Sequence, residues 1–167
     1  LSDAESSGSL GENFLTWLWF YQEKVQGVLP SSKLGDFSFM LDGPLVMVSE
    51  NAGALESNIR KGTPTVSAEA KAALMVGKKL RQAKLIFARN KGEEWSFTFD
   101  SNDFIFKGMK IPEGDAMEKH SIFEERMTNL YIIQSVIFAL FQRYLKELSD
   151  PQKAAEYQEE AKQWIKI

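Results

Sequence analysis

Apolar residues in the segment 10–24 recur at the spacing of an α-helix. Phe14, Trp17 and Tyr21 fall on one face of that helix, and Leu15 falls on another. A helix that is apolar on two sides is buried on two sides. We therefore predict that this aromatic-rich helix lies inside the core and not on its surface.

Alternating apolar and polar residues predict two β-hairpins and one further strand. Asp42-Gly43 is the turn signal of the first hairpin, and residues 90–92 form the turn of the second. A short alanine-rich helix over residues 68–76 separates the two hairpins. The predicted strands cover residues 36–41, 45–50, 83–89, 94–100 and 104–109.

Residues 115–148 carry a helical pattern without a breaker, which predicts a helix about 50 Å long. Its apolar positions form two stripes, and one small sheet can hardly cover both. The surplus, from Tyr131 to Leu148, predicts a contact surface for a second copy of the chain. Asp150-Pro151 then opens a polar tail helix over residues 152–167, whose apolar end offers a second route to a homodimer.

This order of elements predicts an α+β fold, in which a small, mainly antiparallel sheet packs against an N-terminal helix and a long C-terminal helix. The 167 residues fit one domain over residues 10–167. Residues 1–9 are rich in Ser and Gly, which is typical of a flexible leader or linker. The chain does not begin with Met, so we expect it to be a fragment of a longer protein.

Composition narrows the setting of the protein. With 44% hydrophobic and 26% charged residues the chain has the make-up of a globular protein. It contains no cysteine and begins with no signal pattern, which favours the cytoplasm. The longest apolar run, residues 131–141, is interrupted by Gln134 and Ser135 and falls short of the roughly 20 residues that span a bilayer. We expect no membrane partner.

Positive charge is concentrated between Arg60 and Lys91. That segment carries nine basic residues and one acid, a balance of +8 in a chain whose net charge is −3. Such a segment favours binding to an anion, and the phosphate backbone of DNA is the simplest candidate. The alternative is a solvated face that pairs with the protein's own acids. The candidate nucleic-acid-binding residues are Arg60, Lys61, Lys78, Lys79, Arg81, Lys84, Arg89 and Lys91.

Catalytic and metal-binding patterns are weak. His120 is the only histidine, and without cysteine it supports neither zinc chemistry nor a Cys/His pair. Four acids at predicted strand ends could hold a magnesium ion for a nuclease, but turn roles explain them better. We expect no catalytic residue, metal or other cofactor. Those acids are Asp42, Glu50, Asp100 and Asp103.

Neither the glycines nor the aromatic residues of the first helix predict a ligand site. No glycine-rich nucleotide-binding loop is present. Trp17, Trp19, Phe20 and Tyr21 could stack nucleic-acid bases, but their helical spacing beside Leu18 favours the core.

Three stretches of the chain resemble the RdgC-type family of recombination-associated proteins, which is also described as an exonuclease family. They are LGENFLTWLWF (10–20), AEAKAAL (68–74) with GKK (77–79), and EWSFTFD (94–100). The resemblance implies a bacterial protein that coats DNA, assembles as a dimer and restrains RecA-driven recombination, and so a nucleoid association. It places no family site residue on this chain. The family description leaves enzymatic activity open, and no catalytic pattern supports it.

Three functions remain open from the sequence. The first is a non-catalytic DNA-associated domain that binds phosphates through the basic segment. The second is a protein-interaction or oligomerisation domain that uses the long apolar helix. The third and weakest is a metal-dependent nuclease that uses the strand-end acids.

Overall fold

The predicted α+β class is confirmed by the structure, a computed structural model that describes residues 10–32, 34–48, 57–59, 68–89 and 92–166. These residues form four helices and six strands. The helices are α1 (Leu10–Lys24), α2 (Ala68–Met75), α3 (Lys119–Ser149) and α4 (Pro151–Lys166). The strands are β1 (Val28–Ser32), β2 (Gly35–Val48), β3 (Ser57–Ile59), β4 (Lys79–Arg89), β5 (Glu93–Asp100) and β6 (Ile105–Lys110).

All strand pairs are antiparallel, and the sheet runs in the order β1-β2-β4-β5-β6, with β3 pairing to β2. The central strands β2, β4 and β5 turn alternate side chains towards the helices, so Phe39, Phe87 and Phe97 form a row of rings across the sheet. The ring centroids of Phe39 and Phe87 are 5.7 Å apart, and those of Phe87 and Phe97 are 6.0 Å apart. Cross-strand aromatic pairs of this kind stabilise one register of the sheet.

Helix α1 is buried on two sides, as its pattern predicts. Phe14, Trp17 and Trp19 are each at most 1% exposed. The Trp17 ring stacks on Tyr21 at 4.8 Å, and its Nε1 donates a hydrogen bond to Glu147 of α3 at 3.0 Å. These aromatic side chains belong to the core. The prediction that they are core residues, and not a platform for stacking bases, is confirmed.

The first predicted hairpin is wrong. Residues 36–41 and 45–50 were expected to be two strands around Asp42-Gly43, but one continuous strand, β2, covers both segments as far as Val48. Leu41 and Val46 both pair with β4, since the apolar residues on either side of Asp42-Gly43 are buried against the same neighbour. The ladder shifts register between Asp42 and Val46, so the turn signal produces a bulge inside a strand.

The second hairpin, β4–β5, and the strand β6 are confirmed. Strand β4 begins at Lys79, four residues earlier than predicted, and α3 begins at Lys119 instead of at residue 115. Ser67, the residue before α2, and most of residues 51–64 lie outside the described residues, and residues 57–59 form β3, a strand that the hydrophobic pattern does not predict. Among the described helices, none has an apolar run long enough to cross a membrane.

Gly11 is required where α1 approaches the turn after β5. A Cβ atom at this position would collide with the backbone carbonyl oxygen of Ser101. The turn is fixed in place, because the Ser101 backbone N–H and hydroxyl both donate to the carbonyl of Arg81, at 2.8 and 2.6 Å. The helix therefore has no room for a side chain here.

Gly11→Ala should destabilise the protein. In an isolated helix this change is favourable by about 1 kcal/mol, but the collision should reverse the sign and cost about 2 kcal/mol. Urea unfolding followed by tryptophan fluorescence measures the difference. Gln163→Ala in α4 is the control, with an expected change within about 0.5 kcal/mol. A Gly11→Ala protein as stable as wild type would contradict the close approach.

Candidate functional site

Three of the predicted DNA-binding residues lie together at the start of β4. The backbone N–H groups of Gly77 and Lys78 close the end of α2, each at 3.1 Å from a carbonyl oxygen of its last turn. Lys79 and Arg81 follow within β4. Lys78, Lys79 and Arg81 are all half-buried, and each already takes part in an interaction within the fold. The turn therefore does gather positive charge, as the sequence predicts, with part of it engaged internally.

Lys84 lies on the other face of the sheet from α1. Its sequence neighbours Ala83 and Leu85 are buried beneath the helices, so the alternation of the strand turns Lys84 outward. Its partners in the ladder are Asp42 of β2 and Thr98 of β5. Lys84 thus lies beside Asp42, on the face of the sheet that points away from the helices.

Arg89 has a structural role at the far end of β4, about 33 Å along the strand from Lys79. Its Nη2 and Nε donate to one oxygen of Glu93 at 2.7 and 3.2 Å, and its Nη1 donates to the carbonyl of Leu34 at 2.7 Å. The guanidinium also lies 5.6 Å from the ring centroids of both Phe37 and Trp95. Arg89 closes the β4–β5 hairpin over the core.

The segment has four further basic residues, of which the structure describes Lys71. Arg60, Lys61 and Lys91 lie outside the described residues. Lys71 of α2 faces inward, with its Nζ 3.5 Å from the ring centroid of Trp164 and 3.1 Å from a carboxylate oxygen of Glu23. Burial lowers the pKa of Lys71, and the hydrogen bond to Glu23 partly opposes that shift. This lysine joins α2 to α1 and α4.

The strand-end acids are spread over different places. Asp42 accepts a hydrogen bond from its neighbour Gly43 N at 2.8 Å, and Asp100 accepts one from Asn102 N at 3.1 Å while pairing with Lys107 at the same distance. Asp103 is exposed, and Glu50 lies outside the described residues. Within the described ranges no group of three or more acids or histidines could hold a metal ion.

His120 is exposed in the first turn of α3. Its Nε2 lies 3.1 Å from a carboxylate oxygen of Glu124, one helical turn further along. This is a surface pair on a single helix, and it brings no second catalytic group to the imidazole. The position agrees with the interpretation of His120 as a solvent-facing helix residue.

An apolar surface runs along the flank of α3 that faces the edge strand β6. A shallow cavity of about 350 Å³ lies between the two elements, and Gln134 supplies a polar group at its wall. On the β6 side, the rings of Phe104 and Phe106 pack against Phe99, with centroids 5.0 and 5.3 Å away, and both side chains remain partly exposed. We call the exposed apolar members of this region the α3–β6 surface: Phe104, Phe106, Phe123, Met127, Leu130, Phe138 and Leu145.

Sequence reasoning found only part of this surface. The apolar surplus predicted for the long helix, Tyr131 to Leu148, contains Phe138 and Leu145 but begins one residue after Leu130 and does not reach Met127 or Phe123. Phe123 lies on the same face of α3, eleven residues before Gln134, and is exposed. The alternation of apolar and polar residues around Phe104 does not indicate that its ring packs against α3, because that contact is between distant parts of the chain. The ring centroids of Phe104 and Phe141 lie 5.5 Å apart.

No protein-family model matches the chain, and no curated protein matches it. The resemblance to the RdgC-type family therefore stays a prediction that rests on the three stretches quoted above.

Arg89→Ala should lower the free energy of unfolding by about 2 kcal/mol, because it leaves the Leu34 carbonyl and Glu93 without their buried donor. Lys84→Ala, which removes one outward-facing charge from the same strand, should change it by less than about 0.5 kcal/mol. Urea denaturation of both variants measures the contrast. Equal effects would mean that Arg89 is a surface cation like Lys84.

Proposed function

We propose that this chain is an assembly domain that forms a homodimer through α3. The observation that carries the proposal is the exposed apolar stripe on this helix, in which Phe123 is 61% exposed and Phe138 is 59% exposed. Monomeric proteins rarely leave a contiguous apolar patch of this kind open to water, because covering it is favourable.

The spacing of the stripe supports a second copy of the chain as its partner. The apolar positions are symmetric about Gln134, with Leu130 and Phe138 four residues away on either side. Phe123 and Leu145 are both eleven residues away. An antiparallel pair of α3 helices crossing at Gln134 would bring Leu130 of each copy against Phe138 of the other. That is the reciprocal contact pattern of a twofold interface.

The edge of the sheet favours pairing through the helix over pairing through strands. Strand β6 carries Lys107 and Lys110, and its ladder with β5 is shifted near Gly108, which has a φ of 61°. Charged side chains and irregularities of this kind are the features by which edge strands avoid pairing with another chain. The Gln134 side chain has both donors and an acceptor, so two copies could hydrogen-bond to each other at the crossing point.

Phe138→Glu should abolish self-association. It places a charge in the centre of an apolar contact, which should weaken the dimer by more than about tenfold. Sedimentation velocity over a range of concentrations measures the change. Met75→Glu, an equal change at a similarly exposed position on α2, is the matched control and should leave the dimer intact. A wild-type chain that sediments as a monomer at every concentration would contradict the proposal.

The absence of cysteine from the sequence allows a direct test of the crossing point. Gln134→Cys should form a disulfide between two copies under mild oxidation, because residues facing each other across a twofold axis can reach disulfide distance. Lys119→Cys should not, since its two copies would lie about 45 Å apart along antiparallel helices. Non-reducing electrophoresis separates the outcomes. Efficient cross-linking of Lys119→Cys would mean a different arrangement.

We also propose that the turn at the start of β4 binds the phosphate backbone of DNA. The supporting observation is that Lys78, Lys79 and Arg81 lie within four consecutive residues at one turn. Contacts of this kind need positive charge but no base-specific geometry. The family resemblance points to the same ligand.

Replacing Lys78, Lys79 and Arg81 by Ala should weaken DNA binding nearly equally for all sequences and reduce its dependence on salt. Fluorescence anisotropy with labelled duplex and single-stranded DNA at two salt concentrations measures both effects. The control replaces Lys119, Lys153 and Lys166, which removes the same charge from the helices. No binding by wild type at low salt, or equal losses in both triple variants, would contradict this second proposal.

A further inference from the structure

A second cavity lies on the opposite flank of α3 from the α3–β6 surface. It has a volume of about 810 Å³ and lies between α3 and the β1–β2 edge of the sheet. Its apolar lining comes from Leu29 and Phe37 of the strands and from Val136 and Leu140 of α3. The volume falls within the range of about 300–1,000 Å³ that is typical of small-molecule sites.

The charged groups of this cleft gather at one end. Arg143 and Lys146 come from the last turns of α3, and Lys153 comes from the first turn of α4. Glu147 is the acid among the lining residues at this end; it accepts a hydrogen bond from Trp17 Nε1 at 3.0 Å and lies 3.4 Å from Arg143 Nε. Asp150 lies between the two lysines in sequence, and its Oδ1 accepts from the backbone N–H groups of Gln152 and Lys153 at 3.0 and 3.4 Å. Within the described part of the chain, the ammonium groups of Lys146 and Lys153 form no ion pair.

At the other end of the cleft, the lining residues that the structure describes are uncharged. Tyr131 and Ser135 line it. Along α3, Ser135 lies about 17 Å before Lys146 and Tyr131 about 22 Å before it. Tyr21 contributes to the wall under Arg143, whose guanidinium lies 4.9 Å from the ring centroid. Burial raises the pKa of Tyr21, so its hydroxyl stays neutral and adds no negative charge. The cleft is thus long, apolar along its floor and positive at one end.

We propose that this cleft binds an amphipathic monoanion of the long-chain carboxylate class. The chain of the ligand lies along Leu29, Phe37, Val136 and Leu140, where it removes apolar surface from water. The carboxylate lies between Lys146 and Lys153, whose ammonium groups form no ion pair with the described residues. The length of the cleft floor favours an extended ligand over a compact ring. Its apolar lining favours a monoanion over a dianion, because a dianion loses more hydration on binding. This proposal is independent of the dimer and of DNA binding.

Isothermal titration calorimetry with dodecanoate, below the concentration at which it forms micelles, tests the proposal. Dodecanoate should bind, dodecyltrimethylammonium should bind more than about tenfold more weakly because its head has the opposite charge, and butanoate should give no measurable heat. Near-ultraviolet circular dichroism after each titration checks that the ligand has not unfolded the protein.

Two sets of variants separate the cleft from general electrostatic attraction. Lys146→Glu with Lys153→Glu should weaken dodecanoate binding more than about tenfold. Lys119→Glu with Lys166→Glu changes the net charge equally and should have no effect. Ala139→Trp fills the cleft from an exposed position of its wall and should also weaken binding, although it leaves the cations in place.

Three results would overturn the proposal: no heat with dodecanoate, equal affinity for the cationic amphiphile, or equal losses in the two lysine double variants. Phe138→Glu lies on the other flank of α3 and should leave dodecanoate binding unchanged. A failure of the dimer and a failure of the cleft are therefore distinguishable.

Discussion

The fold depends on the burial of α1 between the sheet and the C-terminal helices. Its Thr16 hydroxyl accepts a hydrogen bond from the backbone N–H of Leu80 at 3.1 Å, which joins the helix to β4. On its other side, Trp19 and Phe20 meet the Trp164 ring of α4 at 5.2 and 5.5 Å. Because α1 contacts both layers, removing it would take away most of the contacts that join the sheet to the C-terminal helices. The aromatic rings give α1 enough apolar area to hold both layers.

Helix α3 is held in place by its contacts with α1, and it separates two regions of the protein surface. Tyr144 packs on Phe14 and Trp17 at 5.5 and 5.4 Å, and this burial raises its pKa to about 12. With one stripe fixed in the core, the two flanks of the helix face different surroundings. One flank lies beside β6 and is apolar and open, and the other borders the cleft at the β1–β2 edge. One helix thus supplies both proposed contact regions without a conflict between them.

The basic segment shows how charge that is close in sequence separates in space. Ten residues of a strand span about 33 Å, so Lys79 and Arg89 stand at opposite ends of β4 even though a charge count treats them as one group. Arg89 pairs with Glu93 and donates a hydrogen bond to the Leu34 carbonyl. Lys71 pairs with Glu23 and lies over the Trp164 ring. Among the described residues of the segment, the turn at Lys78, Lys79 and Arg81 keeps the local concentration of charge that the composition indicates.

The sequence by itself determined the elements whose signals are local. The two-sided pattern of α1, the hairpin around residues 90–92 and the long α3 all follow from periodicity, because helix and strand spacing is a property of consecutive residues. It did not determine that Asp42-Gly43 is a bulge, since that depends on Leu41 and Val46 sharing the neighbour β4. Nor did it place Phe104 against Phe141, or Leu29 and Phe37 in one cleft with Lys146 and Lys153. Those arrangements join residues far apart in the chain, and only the packing of helices on the sheet decides which side chains meet.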